Sequence, residues 1–87
     1  MATIDDVQLD PKAYVEIYAE TGIAAGTQLL VQNKSRGHVY VQSDLPSQPD
    51  GSSRNGFIIE ELDLWLVPTG TTKAWFKGDG ALAVEVM

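Results

Sequence analysis

The sequence contains no cysteine and a single histidine, His38, among its 87 residues. Without cysteine the fold cannot use a disulfide, and one histidine cannot supply the usual Cys and His ligands of a structural zinc ion. A domain of this size hides only about two-thirds of the surface that its unfolded chain exposes, so it often needs additional stabilisation. We therefore expect no cofactor or metal, and we expect oligomerisation or docking on other proteins.

Basic residues are also few: six Lys and Arg stand against twelve Asp and Glu, for a net charge of −6. The six cations are scattered along the chain, whereas nucleic-acid binding needs a clustered basic face. No run approaches the roughly 20 apolar residues that cross a bilayer. The beginning of the chain is acidic, where a signal peptide would be basic and then apolar. We expect neither nucleic-acid nor membrane partners, and no signal peptide.

No stretch shows the 3.6-residue apolar period of a helix, but short runs of alternating or continuous apolar residues recur, separated by Gly, Pro and small polar residues. The runs cover 13–20, 27–33, 38–43, 57–61, 63–67, 73–77 and 81–86. This spacing predicts an all-β fold, a small antiparallel β-sandwich or barrel of about seven strands. Residues 13–87 are expected to form one domain.

Three connecting segments carry turn residues. The segments 33–37 (NKSRG) and 78–80 (GDG) contain the Asn and Gly residues of tight turns, and both are predicted to close hairpins. The segment 44–56 has two Pro, two Gly and no apolar periodicity, so it is predicted to be a long loop. Since loop closure depends weakly on length, we expect that shortening residues 46–54 leaves folding nearly intact.

The predicted core consists of the large apolar residues that share one face of each strand, and its burial offsets much of the chain entropy. It comprises Val15, Ile17, Leu29, Val31, Val39, Val41, Phe57, Ile59, Leu64, Leu66, Phe76, Leu82, Val84 and Val86.

Residues 1–12 differ from the rest, because their apolar side chains are isolated. Ile4, Val7 and Leu9 are separated by aspartates, and Pro11 closes the segment. The segment is extended, and its pattern fits a frayed tail, an edge strand or an arm that lies on a neighbouring protein. In the last case these three apolar residues are candidate interface contacts.

Catalytic patterns are weak throughout the sequence. His38 stands at a strand entry without a GxSxG nucleophile context, and Glu60 and Glu61 are adjacent in a predicted strand, where neighbouring side chains point to opposite faces. Neither a phosphate-binding glycine pattern nor the ligand spacing of an EF-hand is present. We expect a protein that is not an enzyme.

Five aromatic residues fall on the strand face opposite to the predicted core: Tyr14, Tyr18, Tyr40, Trp65 and Trp75. Exposed Trp and Tyr side chains act as anchors for protein docking or stack on sugar rings. The alternative is that the two tryptophans close the ends or the second face of the core. We treat all five residues as candidate interface residues.

Residues 57–86, FIIEELDLWLVPTGTTKAWFKGDGALAVEV, contain a Trp-bearing strand, a Pro-Thr-Gly turn, a second Trp-bearing strand, a Gly-rich turn and a final alternating strand. This segment resembles the small all-β virion proteins of tailed bacteriophages, such as head-decoration and head–tail or tail-associated subunits. The resemblance implies a non-enzymatic subunit present in many copies, made in the host cytoplasm and incorporated into the virion. It would bind capsid or tail proteins through strand edges, a terminal arm and loops.

Two functions therefore stand at this point. The first is a structural or assembly subunit of a bacteriophage virion. The alternative is a carbohydrate- or receptor-binding β-sandwich module that uses exposed Trp and Tyr side chains. A strictly monomeric protein without affinity for a capsid or tail would remove the first, and buried-type tryptophan fluorescence that does not change with a broad panel of glycans would count against the second.

Overall fold

The structure, a computed structural model, describes residues 2–3, 6–43, 45–52, 56–68 and 70–87. These residues form two antiparallel β-sheets and one short helix, which confirms the predicted all-β sandwich class. The elements are β1 (Ala2–Thr3), β2 (Val7–Gln8), β3 (Val15–Glu16), α1 (Ile17–Thr21), β4 (Leu29–Asn33), β5 (Val39–Ser43), β6 (Phe57–Ile59), β7 (Leu64–Leu66), β8 (Ala74–Lys77) and β9 (Ala81–Val86).

The first sheet has the strand order β1–β9–β4–β7, with β2 also pairing with β9, and the second has the order β3–β8–β5–β6. β4 and β5 thus belong to different sheets, as do β8 and β9, so the two predicted hairpins are wrong. Turn residues permit a reversal, but the partner of each strand is decided by burial, and both turns carry the chain from one sheet to the other. Among the described residues, β7 and β6 are edge strands joined by the short segment 60–63, so their open edges lie on the same side of the sandwich.

The predicted strand over 13–20 is wrong beyond Glu16, because the chain turns into α1. The Glu16 carboxylate accepts hydrogen bonds from the backbone amides of Tyr18 and Ala19, both at 3.1 Å, and so caps the helix start. Gly22 ends the helix with φ +75° and donates its amide to the Tyr18 carbonyl. Local capping therefore prevails over the alternating pattern.

The N-terminal segment lies along its own domain. β1 and β2 both pair with β9, and the Leu9 amide donates to the Gly80 carbonyl at 2.8 Å. Val7 and Leu9 are buried in the core of this chain. Of the three conformations that the sequence permits, the described residues adopt that of an edge strand, whereas Ile4 lies outside the described residues.

Most of the predicted core is confirmed, with Val15 and Val86 partly buried at its margin. Phe57, Leu64 and Leu66 are exceptions, because they are exposed. The fully buried apolar residues are Ile17, Leu29, Val31, Val39, Val41, Val67, Ala74, Phe76 and Leu82, with Ile59 and Val84 almost fully buried.

The loop following β5 is packed on the outer face of the second sheet over its described part, residues 45–52. The Leu45 carbonyl accepts a hydrogen bond from the Trp75 indole at 2.9 Å, and the Gly51 carbonyl accepts one from the Lys77 ammonium at 2.5 Å. The side-chain amide of Gln48 donates to the Tyr14 carbonyl at 2.7 Å. These contacts argue against the expectation that residues 46–54 can be shortened at little cost. Residues 44 and 53–55 of the predicted loop lie outside the described residues.

Candidate protein interface

The three tyrosines proposed as interface residues lie against other groups of the domain. Tyr18 is buried in α1, and its hydroxyl donates to the Thr27 carbonyl at 2.7 Å. Tyr14 is only 2% exposed. The Lys77 ammonium lies 5.5 Å from the Tyr14 ring and 5.1 Å from the half-buried Tyr40 ring. Tyr14 and Tyr18 are therefore buried within their own chain: the first lies beside the loop, whose Gln48 side chain bonds to its carbonyl, and the second belongs to a helix.

The two tryptophans are half-buried. Trp65 packs against the core and lies 6.1 Å from the Phe76 ring and 6.2 Å from the Phe57 ring, measured between centroids. The Trp75 indole donates to the loop, as described above. The structure thus does not bring the predicted aromatic residues together on one exposed face.

The large exposed apolar residues instead concentrate on β6, on β7 and on the segment between them. We call these five side chains the apolar edge: Phe57, Ile58, Leu62, Leu64 and Leu66, each between 46% and 64% exposed. Among the described residues, Met87 is the further large apolar side chain that is comparably exposed.

The pairing of β7 with β4 determines which of its side chains face solvent. Trp65 pairs with Val31, which is fully buried, so Trp65 points inward. Side chains alternate along a strand, so Leu64 and Leu66 point outward. They lie on the outer face of the first sheet beside Leu30, where a shallow groove runs between Leu64 and Leu30. The predicted orientation of β7 is therefore inverted: Trp65 and Val67 face inward together, and Leu64 and Leu66 face outward.

β6 contributes its apolar side chains from the second sheet. Ile59 pairs with Val39 and is buried, and Phe57 pairs with Val41 on the same face. Phe57 nevertheless lies at the open side of the sandwich, where its ring contacts Trp65. Ile58 points to the outer face of the second sheet, away from Leu64 and Leu66 on the outer face of the first. The two edge strands thus border the same open side of the sandwich, and their exposed apolar groups extend from it onto both outer faces.

Leu62, in the segment between the two strands, has a left-handed backbone with φ +67°. A leucine rarely adopts this conformation, which costs on the order of 1 kcal/mol. Two hydrogen bonds hold it there: its amide donates to the Asn33 carbonyl at 2.7 Å, and its carbonyl accepts from the Gln32 side chain at 3.0 Å. The result is a strained turn that places another apolar side chain in solvent.

Charge is distributed unevenly along the apolar edge. The segment before β7 carries Glu60, Glu61 and Asp63, all exposed, and Glu60 forms a 2.7 Å pair with His38. The chain after β7, residues 67–72, contains no charged residue. The edge is therefore acidic at the start of β7 and neutral at its end.

The pair formed by His38 and Glu60 is exposed on the surface. Within the part of the chain that the structure describes, no group of three or more His, Asp or Glu side chains is arranged to hold a metal ion. In the same residues, no helix is long and apolar enough to span a membrane. The candidate binding surface among the described residues is the apolar edge.

Sequence reasoning missed this surface although a signal was present. Residues 57–59 (FII) and 64–67 (LWLV) are continuous apolar runs, whereas 39–43 and 81–86 alternate more closely. A continuous run is apolar on both faces of a strand, which suits a strand covered on both sides. In an edge strand of a two-layer sandwich, such a run leaves the apolar side chains of the outer face exposed to solvent.

Comparisons with protein-family models, with curated proteins and with solved structures find no match for this chain. The class of protein is therefore defined by the fold, a small all-β sandwich with one apolar side.

Proposed function

We propose that this protein is a non-enzymatic structural subunit of a bacteriophage virion, which binds capsid or tail proteins through the apolar edge. The observation that carries the proposal is the concentration of five exposed large apolar side chains on two edge strands and the segment that joins them. Residues 57–86, which resemble small virion proteins, contain this entire surface. The resemblance and the exposed surface thus point to the same part of the chain.

The size of the apolar edge supports a binding role. From their exposed fractions, its five residues together present on the order of 500 Å², divided between the outer face of the first sheet, the open side of the sandwich and the outer face of the second sheet; the largest apolar patches of monomers are about 300–600 Å² and often functional. A specific interface buries at least about 1,000 Å² in total, so a single contact with part of this edge would be below that limit. Such a contact becomes firm when it is repeated among many linked copies, as in a particle.

The flanks of the edge favour a defined partner over open-ended aggregation. Native edge strands are commonly kept short and bordered by charges or proline. β7 is three residues long, and Asp63 precedes it while Pro68 follows closely after it. Its apolar segment can therefore accept a short strand or a small patch, but not an extended fibril-like ladder.

The test uses purified particles of the phage that encodes the chain. Mass spectrometry should find the protein in many copies per particle. Particles assembled with Leu64→Asp should lose the protein, because a carboxylate at a buried contact is costly to desolvate. Met87→Asp is the matched control, since it adds the same charge at an exposed apolar position outside the edge. Particles assembled with this variant should keep the protein. Absence of the wild-type protein from particles would overturn the proposal.

The carbohydrate-binding alternative gains no support from the described residues, because Tyr14 and Tyr18 are buried and both tryptophans are engaged with other groups of the chain.

A further inference from the structure

We propose that the apolar edge binds a second copy of this chain, with β7 pairing antiparallel to β7 of that copy so that the two first sheets become continuous. This inference rests on the proposed docking role of the edge and names its partner.

The backbone of β7 is suited to such pairing. The backbone amide of Asn33 donates to the Asp63 carbonyl, and the backbone amide of Val67 donates to the Leu29 carbonyl. Residues 63 and 67 are therefore in hydrogen-bonded pairs with β4. Bonded and non-bonded pairs alternate in an antiparallel ladder, which makes Trp65 the next bonded position. The backbone groups of Leu64 and Leu66 then point away from β4, toward the open edge.

These two residues are complementary to themselves. A two-fold axis at Trp65 places Leu64 opposite Leu66 of the second copy, and each pair can exchange both of its backbone hydrogen bonds. The leucine side chains then lie next to one another on the outer face of the continuous sheet. Both copies thus contribute the same residues to the contact, as a two-fold interface requires.

Charge selects the antiparallel arrangement. In that register Asp63 faces Val67 of the second copy, and the acidic segments 60–63 lie at opposite ends of the paired strands. A parallel pairing would place Asp63 beside Asp63 of the second copy, and like charges directly opposite are destabilising. In the antiparallel dimer, the acidic segment 60–63 of each copy therefore lies beside the neutral segment 67–72 of the other.

The buried area is that of a weak dimer. The contact consists of the backbone hydrogen bonds of β7 and the neighbouring Leu64 and Leu66 side chains, while Ile58 stays outside it on the outer face of the second sheet, so it buries less than the roughly 1,000 Å² of a standard specific interface. The net charge of −6 on each copy opposes association, so we expect the dimer to strengthen as salt screens the repulsion.

Sedimentation equilibrium of the full chain between about 1 and 500 µM tests the inference in a range where weak dimers dissociate. The wild-type protein should change from monomer to dimer across this range. Leu64→Asp should raise the dissociation constant at least tenfold, while Met87→Asp should change it less than threefold.

Leu66→Pro tests the backbone contribution separately. The Leu66 amide faces away from β4, and proline is tolerated in an edge strand where the N–H points outward. The variant should therefore keep the wild-type far-UV circular dichroism and lose dimerisation. If Leu66→Pro does not fold, amide hydrogen exchange of the wild type decides: Leu64 and Leu66 should become protected as protein concentration rises, and concentration-independent exchange would contradict the inference.

A wild-type protein that stays monomeric over the whole range would overturn the proposed dimer, as would oligomers that grow without limit. A dimer that neither Leu64→Asp nor Leu66→Pro weakens would overturn the assignment to β7. A monomeric protein that is still incorporated into particles through the apolar edge would refute only the second copy as partner. Absence from particles, by contrast, refutes the docking role in the virion.

Discussion

The side-chain amide of Asn33 donates a hydrogen bond of 2.8 Å to the carbonyl of Ile59, which joins the end of β4 in one sheet to the end of β6 in the other. Asn33 is fully buried. Its amide also donates to the Gly37 carbonyl at 2.6 Å, and its side-chain oxygen accepts from the amide and the hydroxyl of Ser35 at 2.7 and 2.6 Å. One asparagine therefore fixes the corner where the chain crosses between sheets and positions the segment that leads to β7.

Asn33→Ala should destabilise the domain by about 3 kcal/mol, because it leaves several buried backbone groups without partners. Chemical denaturation followed by circular dichroism measures the loss. Gln32→Ala is the neighbouring control: its side chain is half-buried and bonds to the exposed Leu62 carbonyl, so its loss should be under about 1 kcal/mol. Equal losses for the two variants would contradict the assigned role of Asn33.

The orientation of β7 is tested by a pair of truncations on adjacent residues. Trp65→Ala should lower the free energy of unfolding by about 2–3 kcal/mol, less than a fully buried tryptophan, because its ring packs on Phe76 but is half-exposed. Leu64→Ala should change it by less than about 0.5 kcal/mol. Denaturant unfolding, carried out at a concentration where the chain is monomeric, distinguishes the two. The reverse order of effects would show that β7 has the opposite face inward.

This inversion illustrates what the sequence could and could not predict. Short alternating or continuous apolar runs identified six strands that the structure confirms, together with most of the core. Where β-branched and Leu residues alternate with polar ones on a half-buried surface, they permit one orientation. β7 offered a different choice, since Leu64, Trp65, Leu66 and Val67 are all apolar. Alternation alone cannot orient such a run, and the tertiary pairing of Trp65 with Val31 decides it.

The packing of the loop is tested at Gly51. A Cβ at this position would overlap the Lys12 carbonyl oxygen, so Gly51→Ala must displace the loop or the backbone around Lys12. We expect a loss of about 2 kcal/mol in unfolding free energy and a shift in Trp75 fluorescence. Gly70→Ala is the control, because it has φ +89° but no atom within 4 Å of the added carbon, and it should cost about 1 kcal/mol. Gly51→Ala with wild-type stability would show that the loop is not packed in this way.

Asp50 should titrate below its ordinary pKa. The backbone amide of Ser52 and then its hydroxyl donate to the Asp50 carboxylate at 2.9 and 2.8 Å and lower its pKa from the ordinary 3.8. The charged form is favoured in the folded state, so its contribution to stability is present above the unfolded pKa and is lost as pH falls through the folded one.

Carbon-detected NMR measures this titration directly. Ser52→Ala should raise the Asp50 pKa part of the way toward 3.8, because the backbone hydrogen bond is kept, while Ser47→Ala in the same loop should leave it unchanged. A midpoint at or above 3.8 in the wild type would contradict the hydrogen-bonded geometry.

The candidate interface was less predictable than the fold, for a physical reason. The interface candidates named from the sequence were three apolar residues of the N-terminal segment and five aromatic residues, and none of them belongs to the apolar edge, because the exposure of a side chain depends on long-range packing. Trp75 and Tyr14 do lie on the outer face of the second sheet, yet the loop over residues 45–52 covers that face. Phe57, Leu64 and Leu66 are exposed because β6 and β7 are edge strands, and edge position follows from the strand order, which no local pattern encodes.

Electron cryo-microscopy of the assembled phage particle tests the central claim most directly. The account predicts density for the β-sandwich with the apolar edge covered by another protein subunit and with Leu64 and Leu66 within contact distance of it. A particle in which this domain is present but β6 and β7 face solvent would contradict it.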